Sequence, residues 1–264
     1  MSVGANFSYL YGDITHQSMT TIGATDTRSI KLDKFSISDY KLDFGLQYTY
    51  KLNKKNTINI GAVYTLGRTL HGDAYKYHQT GAESNGSIYV QSQTGDTIPN
   101  PFKMPHTFGI GLTYVYDNRL TIGVDYTLQK WNTADLAWSK FNKESVEMNS
   151  RTKIAFGAEF VPSYISHNYL KRIRYRMGAY CSSPYNKVSY TSPDTGTTSF
   201  QDGAREYGVS IGFGLPMFQS KSMLNISGQY IKVSPKFKGL MEENYLRINI
   251  GLTFNERWFM KWKV

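Results

Sequence analysis

Eight side chains of this chain could carry polar chemistry together: Asp43, Gln47, Asp125, Gln129, Glu159, Arg174, Arg176 and Arg247. Each stands at an alternating position among small or polar neighbours, a spacing that gathers side chains on one face of a sheet. Acids and bases so gathered have two readings. They shape a passage or binding cavity, or they pair off as a polar lining that fills a narrow interior. An isolated Asp125 or Glu159 would be the more informative outcome, because an enclosed carboxylate without a partner is costly. A second group is His71-Gly72-Asp73, with His78 near it and His16 in an earlier polar segment. A histidine and a carboxylate within hydrogen-bond reach can act as a general base. The same residues in polar loops are ordinarily solvated, and His16, His71 and His78 match no compact metal-ligand spacing. The glycines of Gly109-Ile110-Gly111 are strand glycines, since no Gly-rich turn here opens a helix to cradle a phosphate. No catalytic, metal or cofactor-binding residue is assigned, and no cofactor is expected.

The elements that position these residues are legible in His106–Trp131. Phe108, Ile110, Leu112, Tyr114 and Tyr116 fall on one face, and Thr107, Gly109, Gly111 and Thr113 on the other. After Asp117-Asn118 the alternation resumes, with Leu120, Ile122, Val124, Tyr126 and Leu128 opposing Thr121, Gly123, Asp125, Thr127 and Gln129. Each run is about 11 residues, the length of a tilted strand that crosses a bilayer, and longer than the usual strand of a soluble sandwich. Large apolar side chains face lipid on one side, and small or polar ones face a wetter lumen. The expected fold is therefore an all-β, antiparallel transmembrane β-barrel.

Composition agrees. The chain has 264 residues, of which 40% are hydrophobic, and its mean hydropathy is −0.43. No apolar run of about 18 residues exists, which excludes a transmembrane helix but permits a barrel. Tyrosine dominates the aromatics, with 21 beside 14 Phe and 4 Trp, and suits a ring with one wet end. Tyr9, Tyr11, Tyr48, Tyr50, Tyr114, Tyr116, Trp131, Trp258 and Trp262 are expected to form interfacial girdles. A greasy slide for substrate would instead need several of these rings to point inward. The net charge of +10 admits nucleic acid as a partner, but the Lys and Arg lie mainly in turns and long loops with no basic helix. Anionic head groups of membrane lipid and lipopolysaccharide account for the charge without nucleic acid. Cys181, the one cysteine, reads as a small strand residue. Met1-Ser-Val-Gly-Ala-Asn-Phe7 has no signal-peptide pattern and runs directly into a strand, which favours a chain that starts inside a longer protein.

Along the chain, strands are expected near Val3–Tyr11, Tyr40–Tyr50 and Thr57–Leu70, then the hairpin above. Further strands follow near Lys153–Val161, Ile173–Ser183, Glu206–Leu215, Met223–Val233 and Tyr245–Phe254. Gly12–Ser38 reads as a polar segment and His71–Pro105 as the longest irregular one, with a small strand at Ser87–Gln91. Asn132–Ser150 is a loop carrying Trp138, and another loop holds Pro193, Asp194 and Gly196. Long and short connections alternate, as in outer-membrane barrels with short periplasmic turns and longer outer loops. Lys51–Asn56, Asp117-Asn118, Pro162–Lys171, Pro216–Ser222 and both chain ends then lie on the periplasmic side. About ten strands make one domain over residues 1–264.

Asn100-Pro-Phe-Lys-Met-Pro-His-Thr-Phe-Gly-Ile-Gly-Leu-Thr-Tyr114 and Thr121-Ile-Gly-Val-Asp-Tyr-Thr-Leu-Gln-Lys-Trp131 resemble the hydrophobic-compound transporters of the FadL/TodX outer-membrane family. The tail Asn249–Lys263 is similar to the terminal strand of Bacteroidota members. The resemblance implies a fourteen-stranded barrel with an N-terminal hatch and a kinked early strand. This chain would then hold the last ten strands, without the hatch and first strands, unless ten strands close alone. No substrate-binding residue is carried over. The implied function is porin-like, passive uptake of hydrophobic, fatty-acid-like or aromatic compounds across the outer membrane of a Gram-negative bacterium. The alternatives are a non-transporting barrel that presents long loops to a surface partner, and an outer-membrane hydrolase of the omptin type with His71 at its rim.

Overall fold

In the computed structural model, residues 1–22, 27–84, 87–133, 147–191, 198–217, 222–235 and 241–254 are described. Trp138, Pro193, Asp194, Gly196, Trp258 and Trp262 lie outside them. The chain is all-β. Its strands are β1 (Ser2–Ile22), β2 (Thr27–Lys51), β3 (Asn56–Thr65), β4 (Arg68–Thr69), β5 (Gly72–Ser84), β6 (Ser87–Pro99), β7 (Lys103–Met104) and β8 (Thr107–Tyr116). They continue with β9 (Leu120–Gln129), β10 (Arg151–Phe160), β11 (Arg174–Ser182), β12 (Lys187–Thr191), β13 (Thr198–Asp202), β14 (Ala204–Pro216), β15 (Met223–Pro235) and β16 (Glu243–Thr253). One short helix, α1 (Tyr169–Arg172), precedes β11. Twelve strands form one antiparallel sheet. Among the described residues the outer edges of β1, β6 and β16 have no strand partner, so closure into a barrel is not seen.

Ten of the twelve are the strands expected from alternation. β1, β2, β3, β8, β9, β10, β11, β14, β15 and β16 pair in chain order. Turn chemistry fixes their register. Three residues, Asp117–Arg119, join the paired Tyr116 and Leu120, and Asp117 and Asn118 both take left-handed φ, 51° and 55°, at the centre of the turn that Arg119 N–H closes on the Tyr116 carbonyl at 2.8 Å. Between β2 and β3, the Asn53 side chain accepts the backbone N–H groups of Lys55 and Asn56, each at 2.9 Å. In the longer 162–171 turn, Asn168 accepts from Leu170 N at 3.0 Å and starts α1. Tyr164 ties this turn to its neighbour by donating to the Asn118 carbonyl.

The register sorts side chains onto two faces. Phe44, Tyr64, Phe108 and Leu128 oppose one another in one row, and Ile58, Tyr114, Ile122 and Ala158 in another. Tyr175, Phe213, Ile226 and Ile250 form a third. These side chains look away from the polar face. Ile110, Ile211 and Ile250 are 57%, 63% and 72% exposed, far too open for the core of a water-soluble sheet. Among the described residues the buried apolar ones are few, namely Leu70, Ala74, Val161, Ile173 and Ile231, and they do not form a central core. Hydrocarbon takes the place of a core, and the architecture is the wall of a transmembrane β-barrel. Tyr48, Tyr50, Tyr114 and Tyr116 share the apolar face, so these rings belong to the girdle and not to an inward slide.

Two expectations are corrected. Gly12–Ser38 and His71–Pro105 are not irregular. β1 and β2 run unbroken far past Tyr11 and Tyr40, and β5 and β6 fill most of the second segment. β2 branches as a result: its residues 43–51 pair with β3, while residues 27–37 pair with β5. A ribbon of β1, β2, β5 and β6 thus projects from the long-loop side. It extends about 35 Å at the usual rise for strands. Above the membrane both faces of a strand are wet, so no apolar alternation marks it. The strand expected to reach Leu70 stops at Thr65, and Arg68–Thr69 pairs instead with Lys103–Met104.

Candidate functional site

Strand register puts all eight polar candidates on the face opposite the exposed apolar rows. Asp43, Thr65, Thr107, Gln129 and Arg151 form one row. Gln47, Gly61, Gly111 and Asp125 form the next but one. Gly123, Gly157, Gly178, Ser210, Gln229 and Arg247 follow across later strands. Thr121, Glu159, Arg176 and Gly212 lie one row nearer the short turns, with Arg174 beyond.

Within this face the residues divide. Glu159 joins two cations: its Oε1 is 3.1 Å from Arg174 Nη1 and its Oε2 is 2.6 Å from Arg176 Nε. Arg176 Nη1 also donates to Asn225 Oδ1 at 2.8 Å. In this cluster acid and base pair off. Asp43 is likewise engaged, by Lys41 Nζ at 2.8 Å and Thr65 Oγ1 at 2.6 Å. Gln129 accepts from Trp131 Nε1 at 3.1 Å. Asp125 is the carboxylate that stands apart: like Gln47 and Arg247, it has no side-chain hydrogen-bond or ion-pair partner among the described residues. Its carboxylate lies over Gly111, where an added Cβ would collide with Oδ1.

Asp125 borders a groove of about 670 Å³. Gly45, Gly61 and Gly111 are among its floor residues, Val63 gives an apolar wall, and Asp43 and Gln47 stand at the rim. The volume is in the range of small-molecule sites. A largely apolar body could lie against the exposed backbone of the floor, with one polar group near Asp125 or Gln47.

A third cluster went unread in the sequence. Tyr180 donates to Glu206, Arg151 Nη2 is 3.6 Å from the same carboxylate, and Arg151 Nε donates to Ser182 Oγ at 2.8 Å. Lys153 lies 4.4 Å from the centre of the Tyr180 ring. The available signal was the parity of Glu206 with Gly208, Ser210 and Gly212 on the polar face of β14.

The histidines separate. His16 opposes Asp33, whereas His78 opposes Lys31 in the next row and reaches Ser29 Oγ at 3.0 Å. His71 contributes its backbone N–H to Asp39 Oδ2 at 2.7 Å. Asp39 is buried past the end of β3, at the base of the ribbon. It also accepts from Tyr40 N at 2.7 Å and meets Arg68 Nη2 at 3.2 Å. Burial works against its ionisation, but the backbone N–H groups of His71 and Tyr40 and the Arg68 charge outweigh it. The carboxyl is held below its ordinary range. Among the described residues no cluster of three potential ligands could hold a metal ion.

Comparison with known proteins gives a family match and distant likenesses to solved structures, two of which follow. The family model described as BamG matches residues 1–264. A monoaromatic hydrocarbon channel, CymD, is 13% identical with a TM-score of 0.48, covering 88% of this chain and 64% of that one. The RagAB peptide importer in its closed-closed state is 12% identical with a TM-score of 0.38, covering 90% of this chain and 35% of that one. The chain therefore spans less than two thirds of the length of either structure. No curated protein matches the sequence.

Proposed function

The chain belongs to the BamG family, and from that premise we propose that it is an outer-membrane barrel protein whose projecting ribbon presents a surface to a protein partner. The family that matches is BamG and not, by name, the FadL/TodX transporters that the hairpin and tail resemble. A family related to the Bam complex supports the Gram-negative outer membrane as its place. The observation that carries the reading is the ribbon. β1 extends to Ile22 with its outer edge unpaired among the described residues, and β6 forms a second such edge. A free edge offers a row of backbone donors and acceptors to an added strand, and proteins rarely leave a long one unmanaged.

The test is a photo-activated cross-linker in intact outer membranes. Placed at exposed Met19 or Lys34 of the ribbon, it should yield one discrete cross-linked protein species. Placed at Ile211 of the apolar face, it should yield only lipid adducts. Equal, diffuse labelling from both places would end the reading.

The Gly-floored groove beside Asp125 favours a second reading: passive passage of small hydrophobic compounds from the outer leaflet, as the resemblance implies. In that case deletion of the gene would lower uptake of an aromatic hydrocarbon or a fatty acid. Under either reading the protein is not an enzyme, and lipid and lipopolysaccharide are its surroundings.

A further inference from the structure

We propose that the short-turn end of β14, β15 and β16 binds an anionic phospholipid of the periplasmic leaflet, with an acyl chain in an apolar groove and the phosphate at Lys171 and Arg172. The inference rests on the outer-membrane reading but on neither the partner nor the cargo. The groove measures about 610 Å³ and is lined by Tyr169, Leu215, Pro216, Met217, Leu224 and Leu252. Leu215, Leu224 and Leu252 stand directly opposite one another on three adjacent strands. They continue the outward apolar face one row past Phe213, Ile226 and Ile250. The groove is therefore an extension of the lipid-facing surface into the interfacial zone.

Charge adds the head group. Tyr169 opens α1, whose last turn carries Lys171 and Arg172. The Arg172 guanidinium lies 5.6 Å from the centre of the Tyr169 ring, which brings a cation to the wall of the groove. The adjacent β8–β9 turn adds Arg119, which Asp117 meets at 3.6 Å, and Lys54 and Lys55 stand farther along the same rim, in the β2–β3 turn. Apolar side chains sit among these cations: Leu52, Leu170 and Ile165 are 53%, 62% and 93% exposed. Turns facing bulk water gain nothing from such residues, whereas turns resting on a leaflet bury them between head groups. An apolar groove beside a cationic rim fits one molecule with a chain and a phosphate.

The full chain in detergent micelles would be offered phosphatidylglycerol and phosphatidylcholine with identical acyl chains, and retained lipid read by native mass spectrometry. Phosphatidylglycerol should be preferred, and Lys171→Glu should cut that preference about fivefold or more, as expected for one basic residue at a membrane surface. Leu252→Asn should weaken retention of both lipids. Lys31→Glu, on the distant ribbon, should change neither. Equal retention of the two lipids, or a preference that survives Lys171→Glu, overturns the site. Insertion into vesicles is scored separately by heat-modifiable gel mobility. A chain that inserts without the preference sinks this inference alone, and one that fails to insert sinks the outer-membrane reading with it.

Discussion

Glu159 and Arg176 stand directly opposite one another on β10 and β11, with Oε2 2.6 Å from Nε, and the same carboxylate reaches Arg174 on its other oxygen. The two side chains of the shorter contact are 26% and 39% exposed, so water screens the pair and its net worth is modest. Glu159→Gln should lower stability by about 1 kcal/mol, mostly because two cations lose their shared partner. Urea unfolding in micelles would measure it. A double change that also replaces Arg176 by Met should recover part of the loss, and no recovery would mean that the pair acts only by packing.

The two faces of the sheet make a sharper prediction. Ile211→Arg places a charge on the apolar face and should destabilise the inserted protein by about 2–4 kcal/mol. Ser210→Arg, one residue earlier and on the polar face, should cost much less. Comparing the two by heat-modifiable mobility after insertion into vesicles separates a membrane wall from a soluble sheet. Equal costs would remove the basis for the membrane assignment.

Glycines at two places should respond differently. At Gly67 an added Cβ would meet the backbone nitrogen of His106, which cannot yield. The His106 ring is already held there, its Nδ1 lying 2.7 Å from Tyr64 Oη and 3.2 Å from Gly67 N. Gly67→Ala should therefore cost about 2 kcal/mol or more. At Gly111 the obstacle is the free end of Asp125, which can rotate away. Gly111→Ala should keep the fold and narrow the groove. A fluorescent apolar probe bound to the groove would then be released while the unfolding midpoint stays nearly constant.

What the sequence disclosed follows from where water is. Phe108–Tyr116 and Leu120–Leu128 alternate because one face meets hydrocarbon, and the positive-φ pair Asp117-Asn118 marks the turn between them. The strands β5, β6 and the far halves of β1 and β2 lack that contrast. Their signal was a local richness in Thr, as at Thr20 and Thr21, a β-former whose preference is weak without context, and the short apolar run at Ser87–Gln91 that marked a part of β6. The site was half legible for a related reason. Parity alone places Glu159 and Arg176 on one face, but their pairing needs the register of β10 against β11. That register depends on a turn containing α1, with its Asn168 cap and its Tyr164 tie to Asn118. The isolation of Asp125 also depends on register, because only its pairings with Gly111 and Ala155 show that no polar side chain stands opposite it.

Asp39 links the membrane wall to the ribbon, and its titration should show how firmly. Its carboxyl is held below the ordinary range, so the tie to His71 and Arg68 contributes fully above the unfolded carboxyl pKa of about 3.9. The contribution is lost as pH falls from there through the lower folded value. Between pH 7 and 5 the hydrogen-exchange protection of residues 66–72, taken relative to the intrinsic rate at each pH, should not change. Below about pH 4 that protection should fall ahead of that of the β8–β9 hairpin, as the carboxylate is neutralised and its hold on the His71 N–H and Arg68 weakens. Asp39→Asn keeps the shape but removes the charge, so exchange should be faster at neutral pH and lose the acid-dependent step. An acid step that persists in Asp39→Asn would assign the loosening to another group and free Asp39 of this role.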